Sequence, residues 1–248
     1  MKILVCISHV PDTTAKIQFT AGGTALDPNG VQFVINPYDE FGLTKALQLK
    51  EKHGGSVTVI TYGDATVEPT LRKALAIGAD DAVRLDGVPT DSMQVASELA
   101  AYISGQGFDL IICGQESIDY NGGVVPGALA AKLRLPFVNA CIGLDLEGSQ
   151  AQALREMDGG KESLTASLPL VVGGKKGLVE ESELRIPNMR GIMTARSKPL
   201  AVTSLTGATP LTGAAAFTKP APKAAVQLID SSNLDELVRR LHEEAKVI

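Results

Sequence analysis

The sequence predicts an α/β protein: a Rossmann-like parallel sheet with helices on both faces, an antiparallel hairpin extension, and a C-terminal arm followed by a helix. Three observations carry this. Short apolar runs alternate with helical patterns as far as Leu133. Asp-Gly and Glu-Gly turns then separate strand-like segments, a strong hairpin signal. Over Thr206–Ala225 the chain is rich in Ala, Thr, Pro, Gly and Lys and shows no clear periodicity, as an extended arm does.

Taken in order, Ile3–Ile7 reads as the first strand. In Glu40–Lys52, Phe41, Leu43, Ala46, Leu47 and Leu49 recur at helical spacing, and Gly54-Gly55 stops the helix. Val57–Thr61 is a second strand, Glu68–Ile77 a helix closed by Gly78, and Ala82–Leu85 a third strand. Ser92–Ile103 is a helix with Asp91 as its N-cap. Leu110–Cys113 is a fourth strand and Val124–Leu133 the next helix. Val138–Leu146, Ala151–Met157 and Lys161–Ala166 form the antiparallel part, and Leu170–Val172 rejoins the sheet. After the arm, Thr206–Ala225, the run Ser232-Asn233-Leu234-Asp235 opens a helix lined by Leu234, Leu237, Val238 and Leu241. The domains are therefore 1–205 and 206–248; the arm and helix of the latter can pack on their own domain or on another chain, and packing on a partner chain is expected.

Composition excludes several function classes. With 248 residues the chain can bury one large core and an extension. A net charge of −5, no Trp and 4% aromatics argue against nucleic-acid binding by charge or by base stacking. No apolar run is long enough to span a bilayer. Met1-Lys2 leads straight into a short strand that is too brief for a signal peptide, so a cytoplasmic location is expected. Cys6, Cys113 and Cys141 lie singly inside apolar runs and read as small buried hydrophobes, and His9, His53 and His242 have no metal-ligand spacing. No nucleophile stands beside a base in the sequence: Ser117 has Asp119 near it but no histidine.

Binding chemistry points to two places. The glycine-rich polar loop Gly114-Gln115-Glu116-Ser117-Ile118-Asp119-Tyr120-Asn121-Gly122-Gly123 follows the fourth strand and opens a helix. Ligands of open parallel sheets bind beyond the carboxyl ends of the strands, and N–H groups of Gly122, Gly123 and Val124 can cradle a phosphate there. Asn36-Pro37-Tyr38-Asp39-Glu40-Phe41 would lie at the same edge. No G-x-G-x-x-G or P-loop occurs. The second place is Arg185–Arg196, a proline-broken segment with Met189, Met193, Arg185, Arg190 and Arg196. Methionine suits adaptable contact surfaces and arginine steers acidic partners.

Arg155-Glu156-Met157-Asp158-Gly159-Gly160-Lys161-Glu162, then Leu168-Pro169-Leu170-Val171-Val172, then Arg185–Arg196, in this order, resemble the small (beta) subunit of the electron transfer flavoproteins. The resemblance covers almost the whole chain. It implies an electron carrier subunit, not an enzyme, in a heterodimer whose FAD is shared and held mostly by the large (alpha) subunit. Electrons would enter from acyl-CoA or other flavoprotein dehydrogenases and leave to a quinone oxidoreductase or another acceptor of the respiratory chain. It also implies an adenine-nucleotide pocket lined by Cys6, Asn36, Pro37, Tyr38, Asp39, Tyr62 and the loop Gly114–Val125, with Cys6 and Tyr62 contributing through backbone and shape. AMP is the expected ligand and a second FAD the alternative. The run Asp119-Tyr120-Asn121-Gly122-Gly123-Val124-Val125-Pro126-Gly127 keeps the first aspartate of the AMP-binding pattern but lacks its Gln-Thr pair, and only Val125 matches the two-flavin pattern. A partner recognition loop, 183–198, is expected to dock dehydrogenases through Arg185, Met189, Arg190, Ile192, Met193 and Arg196, with Met189 as the anchor.

Two other functions are weighed against this. An ATP-pyrophosphatase-like enzyme would need a glycine-rich loop after the first strand, where the chain has Ser8-His9-Val10-Pro11-Asp12-Thr13. A stand-alone nucleotide-binding module would need neither the hairpin nor the arm.

Overall fold

In chain order the elements are β1 (Lys2–Cys6), β2 (His9–Pro11), β3 (Phe33–Ile35), α1 (Pro37–His53), β4 (Ser56–Gly63), α2 (Glu68–Ile77), β5 (Asp81–Asp86), α3 (Ser92–Ile103), β6 (Leu110–Gly114), α4 (Val125–Leu133), β7 (Phe137–Glu147), β8 (Gln150–Met157), β9 (Gly160–Ser167), β10 (Leu170–Gly174), α5 (Met189–Ala195), β11 (Leu200–Ser204) and α6 (Leu234–Arg239). The computed structural model describes residues 1–223 and 225–248; Ala224, inside the expected arm, lies outside the described residues. Nine strands form one sheet in the order β11-β5-β4-β1-β6-β10-β7-β8-β9. Neighbours from β11 to β7 run parallel, and β7, β8 and β9 are antiparallel. β7 thus belongs to both parts, joining the hairpin extension to the parallel sheet. No helix is long and apolar enough to cross a membrane among the described residues.

The helices cover both faces because the central strands are apolar on both. Alternate β1 residues enter different cores: Ile3 and Val5 pack with Leu43, Leu47, Leu71 and Leu75 of α1 and α2, whereas Leu4 and Cys6 pack with Leu99, Ile103 and Leu129 of α3 and α4. Pro37 occupies the first turn of α1, and Gly54 ends it at φ 74°. Asp91 caps α3 as expected, accepting a 2.7 Å hydrogen bond from the Gln94 amide.

Three elements differ from the expectation. β2 and β3 form an antiparallel ribbon whose strands are three residues each and far apart in sequence, so no local turn signals them. β11 adds an edge strand against β5 that is half exposed and therefore shows no continuous apolar run. The last helix stops at Arg239 and continues as a π turn over Arg240–Glu244. Leu234 is 62% and Val238 54% exposed, so its own domain does not cover this apolar face.

The arm is not free along its length. Glu98 on α3 accepts hydrogen bonds from the Thr206 amide (2.7 Å), the Thr206 hydroxyl (2.9 Å) and the Ala208 amide (2.6 Å). Asp91 Oδ2 accepts from the amides of Leu211 (2.5 Å) and Thr212 (2.6 Å). Phe217 stacks on Phe19 with centroids 5.2 Å apart. The carboxylate that caps α3, a second one in the middle of that helix and one ring therefore hold the start of the arm as a strap; a strap held through backbone amides needs no apolar periodicity. Replacing Glu98 by Ala should free its first residues. Hydrogen bonds to charged groups contribute about 1.5–3 kcal/mol net, so the Thr206 and Ala208 amides should exchange about tenfold faster or more by hydrogen-exchange measurements, with the β4 and β6 amides unaffected.

Candidate functional site

A cavity of about 660 Å³ opens at the carboxyl ends of β1, β4 and β6. The chain moves from β1 outward to β4 and β5, then returns to β6 on the other side of β1. The loops after β1 and β6 diverge at this reversal, which leaves a crevice there. Its walls are Cys6–His9, the end of β4 with Asp64–Val67, the β5–α3 loop Gly87–Ser92, the loop before α4, and Thr212–Ala214 of the strap.

Asp39, in the first turn of α1, is buried at the base of the cavity. One carboxylate oxygen accepts from the Ser8 amide at 2.7 Å, the other from the Gly114 amide at 2.8 Å. It thereby ties the ends of β1 and β6 to α1. A Cβ on Gly114 would lie 2.4 Å from Asp39 Oδ1, so only glycine permits this approach. Burial pushes the Asp39 carboxyl up to about 7, against the downward pull of Ser8, Asn36 and Gly114. Asn36, also buried, clamps the loop after β6: its amide donates to the Glu116 carbonyl (2.9 Å), and its oxygen accepts from the Ile118 amide (3.3 Å).

At the entry to α4, Asn121 and Gly123 take positive φ values of 51° and 59°. Among the described residues, the amides of Gly122, Gly123 and Val124 have no acceptor, which leaves three donors at a helix start. Cys6 and Cys113 both line the cavity from adjacent strands and are buried. The neighbouring Cys6 thiol and burial push the Cys113 thiol up, so it stays protonated, in line with an inert structural role.

Of the residues expected in the pocket, Cys6, Asp39, Tyr62, Gly114, Glu116, Ser117, Asp119, Tyr120, Gly122, Gly123, Val124 and Val125 line the cavity. Asn36, Pro37, Tyr38, Gln115, Ile118 and Asn121 do not. Asn36 is spent on the Glu116 carbonyl and the Ile118 amide, and the Gln115 amide donates to the Gly174 carbonyl at 2.7 Å. Sequence reasoning missed the Asp64–Val67 and Val88–Ser92 walls, which the rule of carboxyl-end loops would have located, and the strap residues, which no local signal marks.

The second site is the segment before β11. Asn188 caps α5 by accepting from the Gly191 amide at 2.8 Å. A Cβ on Gly191 would meet the Ala76 carbonyl oxygen at 2.3 Å, so glycine lets α5 lie against the end of α2. The Arg72 guanidinium donates to the carbonyls of Ala195 and Lys198, and the Lys198 ammonium to those of Leu75 and Ala79. Only this base is anchored. Met189 is 75%, Met193 69% and Ile186 83% exposed, with Ile192, Arg190 and Arg196 also outward. The two methionines therefore fill no core space. Arg185 differs: both guanidinium arms bond Glu51 at 2.7 Å, so it holds the loop to α1 instead of facing a partner.

The family profile described as electron transfer flavoprotein domain matches residues 24–208. The chain belongs to the electron transfer flavoprotein family. It is 36% identical to the electron transfer flavoprotein subunit beta of Bacillus subtilis, over 100% of both chains. The protein of the same name from Syntrophomonas wolfei is 35% identical over 91% of this chain and 88% of its own. Protein FixA of Azorhizobium caulinodans is 36% identical over 69% and 65% respectively. Family membership agrees with the resemblance read from the three separated motifs.

The raised Asp39 value has a consequence for stability. The group takes up a proton on folding, so its contribution is complete below its ordinary 3.8 and is lost as pH rises through about 7. Asp39→Asn, which cannot titrate, should be less stable in acid, and its gap from the parent should narrow as urea unfolding is repeated from pH 4 to past 7. A gap that widens over this range would contradict the buried carboxyl.

Proposed function

We propose that this chain is the small subunit of a heterodimeric electron transfer flavoprotein, an electron carrier subunit without a substrate of its own. The observation that carries the reading is the full-length match to a relative named subunit beta, together with apolar surface left open where a second chain would lie. Leu228 is 92% exposed, and Leu234, Leu237 and Val238 are exposed on α6. An FAD held mostly by the large subunit would carry the electrons. Flavoprotein dehydrogenases, acyl-CoA dehydrogenases among them, would deliver the electrons, and a quinone oxidoreductase or other acceptor would remove them towards the respiratory chain. The exposed Met189, Ile192 and Met193, rimmed by Arg190 and Arg196, suit the docking of such an acidic, apolar-pocketed partner.

The cavity would hold one adenine nucleotide, AMP in preference to a second FAD. Three acceptor-free amides at Gly122–Val124 fit one phosphate, and the apolar side chains of Tyr62, Val88, Leu99 and Val125 line the same cavity and suit a base. The enzyme alternative gains nothing from the site, since the turn after β1 offers no glycine-rich phosphate loop.

Co-expression with the large subunit should give a yellow 1:1 complex that releases FAD and AMP in comparable amounts on acid treatment; two FAD and no AMP would sink the nucleotide assignment. Gly123→Leu, which places a bulky side chain at φ 59°, should empty the nucleotide site and leave the flavin bound. Met189→Ala should keep melting temperature and flavin content, because the side chain is mostly in solvent, but should weaken the dehydrogenase encounter about 30-fold, the effect of losing a hot spot of roughly 2 kcal/mol. Unchanged reduction kinetics would remove Met189 from the docking surface.

A further inference from the structure

Resting on the reading of the exposed segment around α5 as a docking surface, we propose that Met189 and Met193 form a site of reversible oxidation, where a peroxide converts both thioethers to sulfoxides and uncouples the chain from its electron donor. The chain carries five methionines and three cysteines. Met189, at 75%, and Met193, at 69%, are exposed over most of their surface. Met157 is 46% exposed, and its sulfur accepts from the Arg155 guanidinium at 3.7 Å. Met1 and Met93 are half-buried, and Cys6, Cys113 and Cys141 are buried. Thiols react as thiolates, and two of these are held as thiols: the Cys6 thiol and burial push Cys113 up, and burial pushes Cys141 up to about 11. The group that oxidants usually attack first is thereby withheld, and the sulfur within easiest reach is on α5.

Helical spacing puts the two sulfurs together. Met189 and Met193 stand one turn apart on α5, which makes them neighbours on one face. Gly191 and Ala195 occupy the opposite face, since two residues turn a helix by about 200°. Ala195 is buried, and a Cβ on Gly191 would meet the Ala76 carbonyl, so that face rests on α2. Arg72 and Lys198 fasten the backbone from the same side. None of these contacts uses a methionine side chain. An added oxygen therefore changes the chemistry of the outer face and leaves the anchoring of the segment in place.

The step is a transfer of one oxygen atom. A sulfur lone pair attacks one oxygen of hydrogen peroxide, the O–O bond breaks as the S–O bond forms, and the departing hydroxide is protonated to water. Sulfur loses two electrons and the peroxide gains them. A methionine sulfoxide reductase reverses it: the S–O bond breaks, the oxygen leaves as water, and two thiols close to a disulfide. The oxidised side chain is polar where the parent is apolar and adaptable. Buried in a partner's apolar pocket without a donor, one such group weakens binding by about fivefold to a hundredfold. Two on one face close the surface to that partner until they are reduced.

The test exposes the purified native complex to limiting hydrogen peroxide, maps each methionine by peptide mass spectrometry, and follows flavin reduction by an acyl-CoA dehydrogenase loaded with its substrate. Met189 and Met193 should oxidise before Met157 and Met93. Reduction by the dehydrogenase should slow about tenfold or more in step with them. Reduction by dithionite, which needs no docking, and the melting temperature should not change. Methionine sulfoxide reductases of both stereospecificities with dithiothreitol should restore the rate. The double variant Met189→Leu, Met193→Leu has no thioether there, so peroxide should leave its rate where it stood before treatment. Earlier oxidation of Met157 or Met93, an undiminished rate with both sulfoxides formed, an equal loss in the leucine variant, or no recovery with the reductases would each overturn the switch. If Met189→Ala also leaves the dehydrogenase reaction unchanged, the docking reading falls and the switch with it; if Met189→Ala slows the reaction and oxidation does not, the switch alone falls.

Discussion

Asp39 sits in the first turn of α1 with both oxygens committed to backbone amides of other segments, Ser8 after β1 and Gly114 at the end of β6. Those two strands are neighbours at the reversal of the sheet, and their loops must part for a crevice to exist. A buried carboxylate that bonds one amide from each sets their separation and satisfies two donors that the pleat leaves unpaired. Ionising it costs desolvation, which appears as a carboxyl raised to about 7. Asn36 does for the next residues what Asp39 does for Gly114, so the loop that frames the cavity is held from behind by the start of one helix.

From this fixed base the other walls differ in strength. The floor, with Cys6 and Cys113, belongs to the apolar core and has no freedom to rearrange. The strap is held by hydrogen bonds to two carboxylates on α3, of which Asp91 also caps that helix and lines the cavity. A single side chain thus joins the cavity wall, a helix end and the beginning of the segment that leads to the exposed α6. The acidic groups that organise the backbone are the same groups that give the cavity its charge.

The methionine segment follows a different principle. Its base is fastened to α2 by Arg72, Lys198 and the contact permitted by Gly191, while its tip carries large apolar side chains into solvent. Anchoring through backbone carbonyls leaves side chains uncommitted, which is what a surface that meets another protein requires.

The sequence by itself determined the layered sheet, because apolar runs of strand length alternating with helical stripes have few other ways to bury both faces. It also determined the hairpin, through Asp158-Gly159, and pointed to the loop after β6, which lines the cavity beyond the strand ends. Separated motifs in fixed order identified the family. Only the tertiary structure decided which members of the Asn36–Asp39 and Gly114–Val125 segments face the cavity, that Arg185 is spent on Glu51, and that the strap closes one wall. Those outcomes depend on bonds between residues some 30 to 130 positions apart, such as Ser8 with Asp39 and Leu211 with Asp91, and no local pattern of polarity encodes the partner of a polar side chain. Hydrophobic periodicity is a property of a segment and can be read there; a hydrogen bond between distant segments is a property of the folded chain.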